Sequence, residues 1–343
     1  MEYKGRYKIF DPAQIVTYPV KDRSNKVKLD DQLDPERIIE TSFEVPQDVQ
    51  DNIALLAREI IAAREKDRPV SFFTGAHLIK NGLGRLLGEL VRRDVFTIIS
   101  GNGATSIHDF ELGLIGETSE YVPQALERGQ FGMAFELNYM NAALMLGNQN
   151  RMGYGEAIGK MICDADFRKE AANIIGQEAA SIAFRYPDLS VQAVCYEKEV
   201  PFTVHAGIGT DVIDQHEYFD GEAKGGCSGR DFLIYTNEIS RLTEGGVILN
   251  VGSAVTGPEV FLKAASMAGN IGQVPDKIIT ANFDMRPFNP GNFTDENAME
   301  YYYRDQKSIV NRVPQAYGGK GYYIGGNMKQ TIPLLYKEII KCI

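Results

Sequence analysis

Phe72-Phe73-Thr74-Gly75-Ala76-His77-Leu78-Ile79-Lys80-Asn81-Gly82 and Ile98-Ile99-Ser100-Gly101-Asn102-Gly103-Ala104-Thr105-Ser106-Ile107-His108-Asp109-Phe110-Glu111 are the two stretches that decide the fold. In each, an apolar run enters a glycine turn and leaves with helical spacing, the pattern of a short buried strand feeding a helix. Glycine lets the backbone come close to a ligand, and a helix N-terminus offers amides and a positive dipole end to an anion. The chain has only four histidines, and His77 and His108 lie in these two turns. His205 and His216 flank a third glycine-rich segment, Ala206-Gly207-Ile208-Gly209-Thr210-Asp211. All four thus fall in strand-end loops, where α/β proteins hold their ligands.

Outward from these turns, strands and helices alternate. Pro46 opens a helix whose Ile53, Leu56, Ile60 and Ile61 recur at 3.6-residue spacing. A strand is expected over 70–74, a helix over 82–93, a strand over 95–100 and a helix over 106–115. Residues 122–187 read as mostly helical. Strands at 202–206, 247–251, 277–283 and 322–324 then alternate with helices at 231–242, 258–268 and 329–340. A polar loop with Pro287, Pro290, Gly291 and Pro314 interrupts the series. Such alternation implies a Rossmann-like, doubly wound α/β fold, its mainly parallel sheet covered by helices on both faces. Residues 1–45 are polar and rich in charge, and read as an irregular arm before a single domain spanning 46–343.

Composition narrows the function classes. Among 343 residues the formal net charge is −10, which argues against a nucleic-acid partner needing a basic face. Cys163, Cys195, Cys227 and Cys342 are widely spaced without a CxxC pair, so neither a zinc site nor a disulfide framework is expected. No signal-peptide h-region opens the chain and no apolar run reaches membrane-spanning length, so a cytoplasmic protein without a membrane partner is expected.

Leu78-Ile79-Lys80-Asn81-Gly82, Gly101-Asn102-Gly103-Ala104 with Asp109-Phe110, and Gly246-Val247-Ile248-Leu249-Asn250-Val251-Gly252-Ser253 occur in an order that resembles the deoxyhypusine synthase family. Ile332-Pro333-Leu334-Leu335 sits where that family begins its last helix. The likeness spans roughly residues 50–340. It implies a Rossmann-like subunit, a homotetramer with NAD between subunits, and NAD-dependent oxidation of a polyamine followed by aminobutyl transfer through an enzyme lysine. The turns support the cofactor half: Thr74, Gly75, Ser100, Gly101, Asn102, Gly103, Gly252, Ser253 and Asn327 are the candidate NAD contacts. The dinucleotide fingerprint GxGxxG with a later acid is nonetheless absent. Asn327 stands where the family has an aspartate.

The transfer half matches less. The family's reactive lysine follows a Glu-Ala-Val-Ser-Trp-Gly run, whereas Ser308-Ile309-Val310-Asn311-Arg312-Val313-Pro314 carries no lysine or acid, and the chain has no tryptophan. Lys307, Lys320 and Lys329 are possible substitutes. True deoxyhypusine synthesis is therefore not expected. An NAD-dependent oxidation of a small amine or other polar metabolite, with possible group transfer, is. The candidate catalytic residues are Asp211, which aligns with a family carboxylate facing an amine, and His77, His108 and His205, which could take a proton as hydride leaves. Asp109 reads as a cap on the first turn of its own helix. Two other classes stay open. The same histidines with Asp109, Asp211 and His216 could hold a divalent metal for hydrolysis, though no metal-ligand spacing is present. A non-catalytic nucleotide or metabolite sensor is the third reading.

Overall fold

The computed structural model describes residues 3–178 and 181–343. Its strands are β1 (Asn25–Val27), β2 (Val70–Thr74), β3 (Ile98–Gly101), β4 (Thr118–Glu120), β5 (Phe202–Val204), β6 (Val247–Val251), β7 (Ile279–Asp284) and β8 (Lys320–Gly325). β1 and β4 form a small antiparallel pair. The other six build one parallel sheet in the order β5-β3-β2-β6-β7-β8. Counted within that sheet alone, the order is 3-2-1-4-5-6, the doubly wound arrangement whose chain direction reverses between β2 and β6. The fold is Rossmann-like.

A sheet buried on both faces needs strands that are apolar throughout, and β2, β3 and β6 are buried at every position. Successive side chains go to opposite layers, as the period of two requires. Phe72, Ile99 and Leu249 join Ile53, Leu56 and Leu335 in one core; Phe73, Ile98 and Ile248 join Tyr235, Ile239 and Phe261 in the other. Helices Gln47–Glu65 and Met328–Ile340 cover the first face, and Gly221–Ser240 and Thr256–Asn270 the second.

Register matters most for function. Thr74 pairs with both Gly101 and Val251, Gly101 with Val204, and Val251 with Phe283. The strands therefore end flush, and their C-terminal loops share one edge.

Several boundaries differ from the sequence pattern, each for a local reason. The helix expected over 82–93 is Gly84–Arg92, and a short helix not expected from the sequence, Ala76–Lys80, precedes it, the two parted at Gly82 with φ +74°. Gly82 also packs on the Asp31 carbonyl, which leaves no space for a Cβ. The strand expected over 95–100 is Ile98–Gly101, and the helix expected from 106 begins at Gly103 because Asn102 caps it. The helix expected at 231–242 starts at Gly221, behind Asp220, whose carboxylate accepts the Glu222 and Ala223 amides. Gly221, Gly225, Gly226 and Gly229 had masked it. Gln306–Arg312, read as loop, is a π-helical segment packed on β7 and β8. Residues 1–45 contain β1 and the helix Pro35–Glu40. Among the described residues no helix is long and apolar enough to cross a membrane.

Candidate functional site

The C-terminal edge of the sheet gathers the loops that the sequence singled out. At the reversal point, the Gly75 amide donates to the Val251 carbonyl. A Cβ on Gly75 would stand 2.3 Å from the Gly252 carbonyl oxygen, so the turns after β2 and β6 meet backbone to backbone. Gly252 has φ +60° and is exposed, a conformation that L side chains rarely adopt. The result is a backbone floor between two turns, with Met328 beside Gly252, at the switch point of the sheet, where doubly wound proteins bind ligands.

Most polar side chains expected to touch a nucleotide instead build the turns. Thr74 and Ser100 are wholly buried; the Thr74 hydroxyl donates to the Gly75 carbonyl, and Ser100 bonds Thr203 across the sheet at 2.7 Å. Asn102 Oδ1 accepts the Thr105 amide at 2.9 Å, Ser253 Oγ accepts the Gly257 amide at 2.9 Å, and Asn327 Oδ1 accepts the Lys329 amide at 3.0 Å. Asn102 and Asn327 cap the helices that follow β3 and β8, and Ser253, two residues before the Val255 N-cap, satisfies an amide in the first turn of the helix after β6. What the edge offers a ligand is backbone and positive helix ends.

Gly101 packs on Thr105, and Gly103 packs on Asp211: a Cβ at Gly103 would stand 1.9 Å from Asp211 Oδ2. Asp211 is buried, and its carboxylate is already paired within the protein. Lys224 Nζ donates to it at 2.8 Å, to Asp214 at 2.6 Å and to the Gly207 carbonyl at 2.8 Å. All three ammonium hydrogens are thereby used. Burial raises the Asp211 carboxyl pKa, while Lys224 opposes that rise. A carboxylate thus already faces the helix end after β3, leaving the ends after β2 and β6 as the better places for an anion.

His205 leaves β5 stacked on Phe73, with centroids 5.5 Å apart, and against Tyr235 at 5.4 Å. Burial lowers its pKa to about 4, so the ring is neutral at physiological pH and is a weak base. His216 is buried and bonds the Gly132 carbonyl.

His108 is the histidine with a relay behind it. Its Nδ1 lies 2.7 Å from Thr118 Oγ1, which donates to Glu111 Oε2 at 2.5 Å. Glu111 also pairs with Arg23 at 2.7 Å; Arg23 and the other nearby groups hold its pKa at about 2 against the effect of burial. An ionised Glu111 only accepts, so the single Thr118 hydrogen goes to it and His108 Nδ1 must donate to Thr118. In the neutral ring, this tautomer puts the lone pair on Nε2, the form a base requires. His77 sits at the surface nearby, its pKa lowered by partial burial and by Lys80 and His108. Thr118 and Arg23 had no sequence signal, since Arg23 reaches Glu111 from the N-terminal arm. Lys224 was hidden within the glycine-rich helix.

Asp109 does not cap its own helix. It is fully buried in the seventh position and caps Val191–Glu197, accepting from Ser190 Oγ (2.6 Å), the Val191 amide (2.7 Å) and the Gln192 amide (3.1 Å). Of the candidate lysines, Lys320 and Lys329 are exposed. Lys307 is buried over the Tyr301 ring at 3.5 Å, and its Nζ has no hydrogen-bond partner. Burial, with Arg312 and Arg304 nearby, lowers its pKa. Among the described residues no three His, Cys, Asp or Glu side chains gather as a metal site.

No family model and no curated protein sequence matches the chain. Its fold is similar to solved structures. The apo structure of ArgZ, an arginine dihydrolase from the ornithine-ammonia cycle in cyanobacteria, shares 13% identity at a TM-score of 0.47 over 87% of this chain and 33% of that one. The ternary complex of AgrE with ornithine and NAD+ shares 16% identity at 0.46, over 88% and 34%. A candidate deoxyhypusine synthase from Entamoeba histolytica shares 8% identity at 0.38, over 95% and 97%. This chain spans about a third of the length of ArgZ and AgrE. At these scores the fold assignment rests on the strand order described above.

Proposed function

We propose that this protein binds NAD across the C-terminal edge of its sheet and catalyses oxidation of a small amine or other polar metabolite. The observation that carries this reading is the backbone contact of Gly75 with Gly252 at the reversal point of a 3-2-1-4-5-6 sheet. The Gly75 and Gly252-Ser253 turns would hold the pyrophosphate, with the helix Thr256–Asn270 directing its positive end there. The bound cofactor would supply a hydride acceptor. His108 Nε2 takes the substrate proton, with the resulting imidazolium stabilised through Thr118 and Glu111. Arg23 holds Glu111 ionised throughout. Asp211 serves as a positioning residue that fixes the turn after β3, since Lys224 already occupies its carboxylate. Lys307 is the lysine best suited to any group transfer, because its buried amine has no hydrogen-bond partner.

Calorimetry and thermal shift with NAD test the cofactor assignment. The wild-type protein should bind with saturable heat and a higher melting temperature, by about 2.7 kcal/mol of linkage at 100 times Kd. Gly252→Val places a branched side chain over the floor, where Met328 is the neighbour, and should weaken binding at least ~10-fold. Absence of heat and of any shift at millimolar NAD would refute the assignment.

The base is tested separately. His108→Phe should lower kcat for whichever amine reduces NAD by about 100-fold or more while leaving the Kd for NAD unchanged. Equal kcat in the variant would transfer the role to another group.

A further inference from the structure

Arg23 stands in a polar stretch that the sequence marks only as an arm, yet its side chain is 4% exposed, as is that of Glu111, which it meets at 2.7 Å. The chain is pinned on either side of it. The Tyr18 hydroxyl donates to Glu120 at 2.8 Å, the Val20 amide donates to Glu136 at 2.7 Å, and β1 pairs with β4 so that Val27 lies opposite Thr118. Arg23 Nε donates to Asn25 Oδ1 at 2.8 Å, while Nη2 is buried without a partner. Two charges taken so far out of water contribute little net stability, and an unmet donor lowers it further. The pair is better explained by what it imposes on its neighbours.

Between Glu111 and His108 stands a single hydroxyl, and a hydroxyl can point either way. With Glu111 ionised, Thr118 donates to it and accepts from His108 Nδ1. With Glu111 protonated, the carboxyl donates to Thr118, Thr118 donates to Nδ1, and the neutral ring carries its hydrogen on Nε2. No heavy atom has to move, since the distances of 2.5 Å and 2.7 Å suit both directions. The charge on Glu111 selects between them. On its own helix Glu111 faces His108, whose Nδ1 is 3.8 Å away and which is itself faced by His77 with Lys80 beside it. From β4 come Thr118 and, beside Arg23, Glu120; from the arm come Tyr18 and Arg23. Glu117, just before β4, is paired with Lys28 at 2.6 Å. Among the described residues Arg23 is thus the one permanent cation in ion-pair contact with Glu111. Burial pushes this carboxyl toward its neutral form, and Arg23 is the largest influence against it.

We infer that Arg23 is a positioning residue for His108: through Glu111 and Thr118 it fixes the direction of the hydrogen-bond chain, and with it the tautomer that leaves Nε2 free. Without the guanidinium, Glu111 takes up a proton, the chain reverses, and a hydrogen occupies the atom that has to accept one. The consequence for turnover rests on the reading of His108 as the base, given above.

Two-bond proton–nitrogen NMR spectra of histidine-labelled protein tell an Nδ1–H ring from an Nε2–H ring, and His108→Phe identifies the signals of this one. In the wild type, neutral His108 should carry its hydrogen on Nδ1. In Arg23→Met it should carry it on Nε2 until the pH rises through the raised Glu111 pKa, above which ionised Glu111 restores Nδ1–H. The kcat–pH profile should follow the same transition. It should lie about 100-fold or more below wild type on its acid side and recover as Glu111 ionises, a limb that loss of packing alone does not add. Arg23→Lys, which keeps a cation, should resemble the wild type. Where Arg23→Met does not fold, Arg23→Gln carries the test, since its amide still donates to Glu111 but brings no charge. A folded Met or Gln variant that keeps Nδ1–H over the whole range in which the ring is neutral overturns the proposal. An Arg23→Lys protein with Nε2–H does the same. Unchanged kcat in His108→Phe moves the base elsewhere without altering the tautomer result, so the two readings fail separately.

Discussion

Replacing Lys224 with methionine should destabilise the fold by about 3–5 kcal/mol, read as a fall in the denaturant midpoint at constant slope. The side chain is 1% exposed and its ammonium satisfies Asp211, Asp214 and the Gly207 carbonyl at once. Methionine fills the space but leaves two carboxylates, with side chains 6% and 5% exposed, facing each other without a cation. The loss should depend on pH. Burial and Asp214 already raise the Asp211 pKa, and Lys224 is the opposing influence that the variant removes. A carboxyl with a folded pKa above its unfolded value stabilises at low pH and loses that contribution as pH rises through the folded value. The variant should therefore lie closest to wild type near pH 4 and fall furthest behind it at neutral pH. Asp214→Asn in the same chain should recover part of the loss by removing one of the two charges. A Lys224→Met protein with wild-type stability at pH 7 would show that the cluster is hydrated and open, and so would return Asp211 to the list of groups able to meet an external amine.

That cluster also marks the limit of what the sequence tells. Strand period and glycine turns made the parallel sheet legible, because fully buried strands such as Val70–Thr74 need unbroken apolar runs. The turns at Gly75, Gly101–Gly103 and Gly252 were legible for the same kind of reason: close backbone approach demands glycine. Partners across the fold were not. Arg23 reaches Glu111 over 88 residues of chain, and nothing local to either announces the other. Lys224 lies in a helix start whose glycines look like a loop, and Asp109 looks like a cap for the helix that contains it. Side-chain type and spacing showed that these positions were polar, but tertiary packing decided whether each one faces a ligand or another part of the protein. Asn102, Ser253 and Asn327 illustrate the ambiguity, since a residue good at contacting phosphate is also good at capping the helix beside it.

Asp109→Ala should cost about 3–5 kcal/mol, as a buried hydrogen-bonded charge network is broken. The carboxylate is fully buried and accepts from Ser190 Oγ, the Val191 amide, the Gln192 amide and Gln192 Nε2. Removal orphans the first amides of Val191–Glu197 in a place that water does not reach, so each donor bears its full desolvation cost. Asn is not an adequate replacement. All four partners donate, and an amide nitrogen at either oxygen position would set donor against donor. Asp109→Asn should therefore lie nearer to Ala than to wild type, by unfolding in urea. The effect on NAD should be of a different kind. Asp109 projects from the middle of Gly103–Ile115 toward Ser190, while the proposed pyrophosphate floor lies at Gly75 and Gly252 on the strand edge. At a temperature where the variant remains folded, its Kd for NAD should stay within about threefold of wild type, since stability and binding at separate sites add independently. A variant that folds normally yet loses NAD would mean that Asp109 turns toward the ligand in the bound state.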